Sequence, residues 1–159
     1  MIFMAIPTEV LQLFQILHLV GLTWGVGVAT FGLLLNLISK RNPEIAPHVS
    51  KIMPYVAPFI FIALIILGVT GILRQVFFAI NGVNYYVTNP LIIVKQIVVG
   101  LLVANGIFLA AKLAPKLQRL APKGGPPSVE FVQARKMVMI SSYLNVIMWY
   151  TIVVLSVIM

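Results

Sequence analysis

The chain has 159 residues, a formal net charge of +8 and no cysteine. Hydrophobic residues make up 61% of it and charged residues only 9%, whereas a soluble domain carries about 25% charged residues. This composition excludes an ordinary soluble domain and a disordered chain, and it predicts an integral membrane protein. The lack of cysteine excludes disulfides, thiolate metal sites and iron–sulfur clusters.

Four apolar stretches are long enough to cross a bilayer, which takes about 20 mostly apolar residues in a helix. They run over residues 9–39, 54–73, 91–111 and 129–159. We therefore predict an all-α integral membrane four-helix bundle, with residues 1–159 forming a single transmembrane domain. Asn89 before Pro90 is the predicted start of the third helix, and Ser128 is the predicted N-cap of the fourth.

The positive charges predict how the bundle is oriented. Apart from Arg74 and Lys95, all of the 11 basic residues lie in or beside the connections that follow the first and third helices: Lys40, Arg41, Lys51, Lys112, Lys116, Arg119, Lys123, Arg135 and Lys136. Connections rich in Lys and Arg stay in the cytoplasm. We expect a multi-pass protein of the cell membrane with both termini on the extracytoplasmic side, and we expect the basic charge to serve topology in the lipid bilayer, not nucleic-acid binding.

Three ionisable side chains within the apolar spans are candidate functional residues: His18, Arg74 and Lys95. An ionisable group in lipid costs about 3 kcal/mol or more, so its presence points to function. His18 lies about 13 Å below the outer end of its helix and Lys95 about 7 Å below the same face, where Arg74 closes the second span. Only Glu9, at the rim, is an acidic residue near them, so we expect an anionic guest.

Haem b fits this arrangement of residues. Neutral imidazole is an axial ligand of haem iron, and the haem propionates are anions that need cationic partners. The predicted site therefore has His18 as metal ligand and cofactor-binding residue, with Arg74 and Lys95 as further cofactor-binding residues. Met148 is a candidate for the second axial ligand.

Small residues around His18 are expected to let a helix or a flat macrocycle approach the backbone. Gly21 and Gly25 form a GxxxG spacing, and Trp24 is placed to line a pocket. Other uses of these residues stay open. A lone histidine also serves as a hydrogen-bonding group between helices, GxxxG also serves helix packing, and Arg74 and Lys95 also serve as interfacial anchors.

Three stretches resemble small four-span membrane proteins that include the HemJ-type protoporphyrinogen oxidases and the CopD-type copper-resistance domains. They are LHLVGLTWGVG from Leu17, LGVTGIL from Leu67 and KQIVVGLL from Lys95. The HemJ resemblance implies a bound haem b, with His18 as axial ligand and Lys95 as a pocket residue. In that family a second histidine follows the lysine where this chain has Asn105, which speaks against porphyrinogen oxidation.

The predicted function is that of a b-type haem membrane protein in electron transfer, working with a quinone- or porphyrinogen-linked enzyme. One alternative is an oxidoreductase like the HemJ protoporphyrinogen oxidases. The other is a cofactor-free transporter or an assembly subunit of a larger membrane complex. An exposed GxxxG would also pair two copies into a homodimer. No catalytic residue is assigned.

Overall fold

A computed structural model of the chain describes residues 7–42, 44–82, 90–122 and 126–158. Its helices are α1 (Thr8–Arg41), α2 (Ala46–Ile80), α3 (Leu91–Phe108), a π-helical turn (Leu109–Leu113), α4 (Ala114–Arg119) and α5 (Val129–Ile158). Within the described residues, α1, α2, α5 and the continuous run from α3 through α4 are long and apolar enough to cross a membrane. The all-α prediction and its four helices of spanning length are confirmed.

α1 is the central helix of the bundle, because it packs along α2 on one side and along α5 on another, while α3 packs on α5. In the described part of the chain, α2 and α3 share no extended backbone interface. Packed neighbours run antiparallel, so α1 begins at the end of the bundle where α2 ends, α3 begins and α5 ends. We call this the terminal end, and the opposite end, where α1 stops at Arg41, the basic end.

The core is apolar and draws on all four long helices. Its buried residues are Leu22, Ala29, Ala63, Leu64, Leu67, Leu102, Trp149 and Ile152. The outward faces are apolar as well, with Ile65 63% exposed and Val157 80% exposed. Because large contiguous apolar surfaces are unfavourable in water, this outer surface is suited to lipid.

Gly21 and Gly25 are used for helix packing within the chain. A Cβ atom on Gly21 would lie 2.9 Å from Cγ2 of Ile66 on α2, and a Cβ on Gly25 would overlap the ring of Trp149 on α5. Of the uses that the sequence left open for this spacing, helix packing within the chain is the one that the structure shows. The space beside both glycines is filled by side chains of neighbouring helices.

The second helix is longer than the predicted span 54–73, since α2 begins at Ala46 and ends at Ile80. The predicted bounds followed the apolar stretch alone, and α2 includes prolines at positions 54 and 58, each of which removes a backbone hydrogen bond. The helix begins earlier because Val49 and Val56 are buried, with Val56 lying against Gly32 of α1. Packing on α1 outweighs the hydrogen bonds that prolines remove.

The third helix also continues past its predicted end at residue 111, through the π-helical turn and α4 to Arg119. Pro115 cannot donate a backbone hydrogen bond, and its ring crowds the carbonyl of Ala111. A widened turn directly before it lets the helix pass the proline. The predicted Ser128 cap is confirmed, because its Oγ accepts from the Phe131 N–H at 3.2 Å. The predicted cap Asn89 and helix end Met159 lie outside the described residues.

The packing of Gly25 against Trp149 predicts that G25A destabilises the bundle. The added methyl group displaces a fully buried ring, and such overpacking costs about 1–3 kcal/mol. G27A is the matched control, since a Cβ on Gly27 meets nothing within 4 Å. Unfolding of both variants in mixed detergent micelles measures the difference. Equal free energies of unfolding for G25A and the wild type would contradict this packing.

Candidate functional site

His18 points into the bundle, not toward lipid. The side chain is buried, with 9% of its surface exposed, and it lies on the face of α1 that also carries Leu22, Gly25 and Ala29. These positions recur every three or four residues, which places them on one side of a helix. The imidazole Nδ1 lies 2.9 Å from Oγ1 of Thr70 on α2. The sequence identified His18 as an inward residue but did not identify Thr70 as its partner.

The hydrogen bonds of Thr70 determine which imidazole nitrogen carries the proton. The Thr70 hydroxyl donates its one proton to the backbone carbonyl of Ile66, 2.6 Å away, with the Leu67 carbonyl at 3.3 Å. With the proton directed at the Ile66 carbonyl, the shorter of these contacts, the Thr70 oxygen is an acceptor for His18, and we assign Nδ1 as the donor at 2.9 Å. In the neutral ring this leaves Nε2 unprotonated, with a lone pair in the ring plane. A histidine that binds a metal has this arrangement.

The imidazole lies against the backbone of α2. A Cβ atom placed on Gly71 would lie 3.7 Å from Cε1 of His18, and the Leu67 carbonyl is another hydrogen-bonding group beside the ring. Glycine at position 71 thus allows this edge of the ring to rest on the helix. The LGVTGIL stretch, which the sequence singled out only by resemblance, supplies the surface that orients His18.

Arg74 and Lys95 lie close enough for their positive charges to act on the His18 imidazole, and the charge of Arg74 also acts on Lys95. The structure therefore brings the three predicted site residues together from three helices. Arg74 does not close its helix as predicted. Because α2 continues to Ile80, Arg74 lies about 9 Å from the helix end.

The two cations have no acidic counterpart. Within the described residues, no ion pair joins either of them to Glu9, Glu44 or Glu130, the only acidic residues of the chain. Nε of Arg74 is buried and has no hydrogen-bond partner in the described structure. A buried guanidinium donor without an acceptor is costly, so this site is suited to an anionic group.

The site faces the side of the bundle where the helices are least closely joined. Arg74 lies on α2 and Lys95 on α3, and these two helices share no extended backbone interface in the described residues. Farther from the terminal end, the approach of Phe61 to Gly106 closes the space between them, at 3.8 Å from a Cβ placed on that glycine.

Two residues that the sequence placed near the site, Trp24 and Met148, lie elsewhere. Trp24 is 39% exposed and stacks on Phe59, with ring centroids 6.1 Å apart, on an outward groove of about 640 Å³. Met148 is next to Trp149, which packs at the level of Gly25, about 10 Å along the bundle from His18. That separation excludes Met148 as the axial ligand opposite His18.

Asn105, which replaces the second histidine of the resembled family, is committed to helix packing. Its Nδ2 donates to the Ser141 carbonyl at 3.0 Å, and its Oδ1 accepts from the Ser141 hydroxyl at 2.8 Å. The described residues also contain no group of three or more His, Cys, Asp or Glu side chains that could hold a metal ion together. The donor set at this site suits a group that brings most of its own ligands and needs one imidazole.

The fold and the site thus define a four-helix bundle of membrane-spanning length with an oriented histidine beside two unpaired cations. Comparison of the chain with protein-family models, curated proteins and solved structures finds no match. The functional argument therefore depends on the geometry and chemistry of this site.

We predict that T70V lowers the free energy of unfolding by about 1 kcal/mol, because it leaves the buried Nδ1–H of His18 without its acceptor. T151V is the matched control, since the Thr151 hydroxyl bonds only the Ile147 carbonyl of its own helix. Nitrogen NMR of labelled histidine gives a second readout. Protonation at Nε2 and not at Nδ1 in the wild type would contradict the assigned tautomer.

Proposed function

We propose that this protein is a b-type haem-binding integral membrane protein of the cell membrane, with His18 as the axial ligand and a role in electron transfer. The observation that supports the proposal is the buried His18 ring, fixed through Nδ1 to Thr70 at 2.9 Å, beside two cations that form no ion pair within the described residues. Haem, when bound, supplies a one-electron redox centre. The residues of the chain bind it, orient its ligand and set the charge around it.

The histidine meets the requirements of an axial ligand. The Thr70 hydroxyl holds Nδ1–H at 2.9 Å and is itself held by the Ile66 carbonyl. This hydrogen-bonded chain limits rotation of the ring and keeps the proton away from Nε2. An imidazole without such a partner would lose rotational freedom and its choice of tautomer on binding, which costs free energy. Thr70 lowers this cost because it fixes the ring beforehand.

The cations meet the requirements of the propionates. Arg74 has a buried Nε donor without a partner, and Lys95 is the only other basic residue in the same half of the bundle. A propionate accepts charge-assisted hydrogen bonds from both kinds of side chain. These positive charges also disfavour the oxidised form of a nearby redox centre and therefore raise its reduction potential.

The proposal includes the orientation of the protein in the membrane. With the basic end in the cytoplasm, the site lies in the extracytoplasmic half of the bilayer. In this orientation the sparsely packed side between α2 and α3 faces the outer leaflet, and we expect an amphiphilic anion to approach Arg74 and Lys95 from there. Polar propionates would remain near the interface, where their charge is less costly than at the bilayer centre.

Electron transfer is favoured over porphyrinogen oxidation. The resemblance to HemJ-type enzymes extends to His18 and Lys95, but the position of their second histidine is Asn105, whose side chain bonds Ser141 twice. A residue held in this way is part of the α3–α5 interface. The chain thus keeps the residues that suit haem binding and lacks this feature of the enzyme.

Titration of the purified protein with haem tests the proposal. We expect a Soret band of protein-bound haem in the wild type and its loss in H18A, because the ligand is removed. H48A is the matched control, since His48 is exposed near the start of α2 and belongs to the basic end. A wild-type protein that gives no such band, or an H18A variant with an unchanged spectrum, would contradict the proposal.

The cations are tested by R74Q and K95Q. Hydrogen bonds to an ionised group contribute about 1.5–3 kcal/mol, so we expect each change to weaken haem affinity by about ten- to hundredfold. We also expect K95Q to lower the midpoint potential, because a positive charge near the iron is removed. K112Q, which changes an exposed lysine at the basic end, serves as control. Equal affinity and potential in all three variants would exclude a role for the two cations.

A further inference from the structure

The buried face of α5 carries a row of polar side chains that begins at the basic end. Arg135 donates to the carbonyl of Ser39 on α1 at 2.9 Å. One level farther in, Nδ2 of Asn36 donates to Oγ of Ser142 at 3.2 Å. These contacts are direct hydrogen bonds between helices, so the outer part of the row is paired.

Farther into the bundle, the pairing of polar groups stops. Oδ1 of Asn145, Nε1 of Trp149 and Oγ1 of Thr30 are buried and have no hydrogen-bond partner in the described structure. Asn145 is 4% exposed and Trp149 is completely buried. Such groups are costly without partners, and buried water is a common means by which proteins satisfy them.

Two of the three unpaired atoms lie on one face of α5, and the third is at a similar depth on α1. Asn145 and Trp149 are four residues apart on α5, so their side chains are neighbours on one face of the helix. The Trp149 ring lies against Gly25 of α1. Because α1 and α5 run antiparallel, Thr30, five residues beyond Gly25, lies at about the depth of Asn145.

The chemistry of these atoms selects the ligand. The indole N–H only donates, the amide oxygen only accepts, and the hydroxyl does both. A cation is disfavoured by the indole N–H, and an anion by the amide oxygen. A larger molecule is disfavoured because Leu102 and Ile152 nearby are almost completely buried in the core. Water alone among these candidates both accepts and donates while needing little space.

We propose that a water molecule binds between Asn145 and Trp149, near Thr30, and accepts a hydrogen bond from the indole N–H while donating to the amide oxygen. It forms the inner end of the polar row that starts at Arg135. The row stops there, since Ile152 and Leu155, the next buried residues of α5 toward the terminal end, are apolar. This site is separate from His18 and does not depend on haem binding.

Solution NMR in lipid nanodiscs tests this assignment on the W24F variant, in which Trp149 is the only tryptophan. Trp24 lines the outward groove and is 39% exposed, so its side chain is not part of the buried region around Trp149. We expect a cross-relaxation peak between the indole Hε1 proton and water, with the sign of long-lived binding. The T30V variant removes the Thr30 hydroxyl, which could otherwise relay magnetisation from bulk water to the indole proton. We expect the peak to persist in this variant.

N145L should abolish the peak, because it removes the amide oxygen that anchors the water. T151V, which removes a hydroxyl bonded only within its own helix, should leave it unchanged. The absence of a water peak in W24F, a measurement that needs no change at the site, would overturn the proposal. A peak of equal intensity in folded N145L would overturn it as well.

Discussion

The main constraint on this structure is a pair of positive charges, those of Arg74 and Lys95, held inside an apolar bundle without a described carboxylate beside them. Arg74 and Lys95 come from different helices, act electrostatically on the same imidazole, and form no ion pair with a described carboxylate. Positive charges repel each other more strongly where the dielectric constant is low, and burial adds a desolvation cost. The fold must therefore be stable enough to hold them together, and any anion that binds there relieves both costs. Binding at this site and stability of the bundle are thus linked.

The position of α1 explains how the histidine is presented. Gly21 lets α2 approach closely and Gly25 accommodates Trp149 of α5, so α1 is held on both sides of its His18 face. The ring then lies on α2 at Gly71 and donates to Thr70. The same glycines that suggested space for a cofactor instead make the packing rigid. Rigidity is useful here, because an axial ligand gains affinity when its orientation is fixed before binding.

The sequence predicts the features of this protein that depend on amino-acid composition and on the helical spacing of apolar residues. The four helices and the inward position of His18 follow from long apolar runs and helical spacing. The apolar stretch located the second span at 54–73 but did not show that α2 begins at Ala46, because this start depends on the burial of Val49 and Val56 in the folded bundle. Helix packing was one of the uses that the sequence left open for Gly25, but GxxxG does not specify the partner, which is Trp149, more than a hundred residues away. Thr70 was missed as the partner of His18 because a threonine on an apolar helix carries no sequence signal until the register of α1 and α2 is known.

The central claim is that Nε2 of His18 binds haem iron, and pulsed electron paramagnetic resonance on the ferric protein with ¹⁵N-labelled histidine tests it most directly. The account predicts a hyperfine coupling from one histidine nitrogen, which disappears in H18A and persists in H48A. A haem-loaded wild type without any histidine coupling, or one whose coupling persists in H18A, would contradict it.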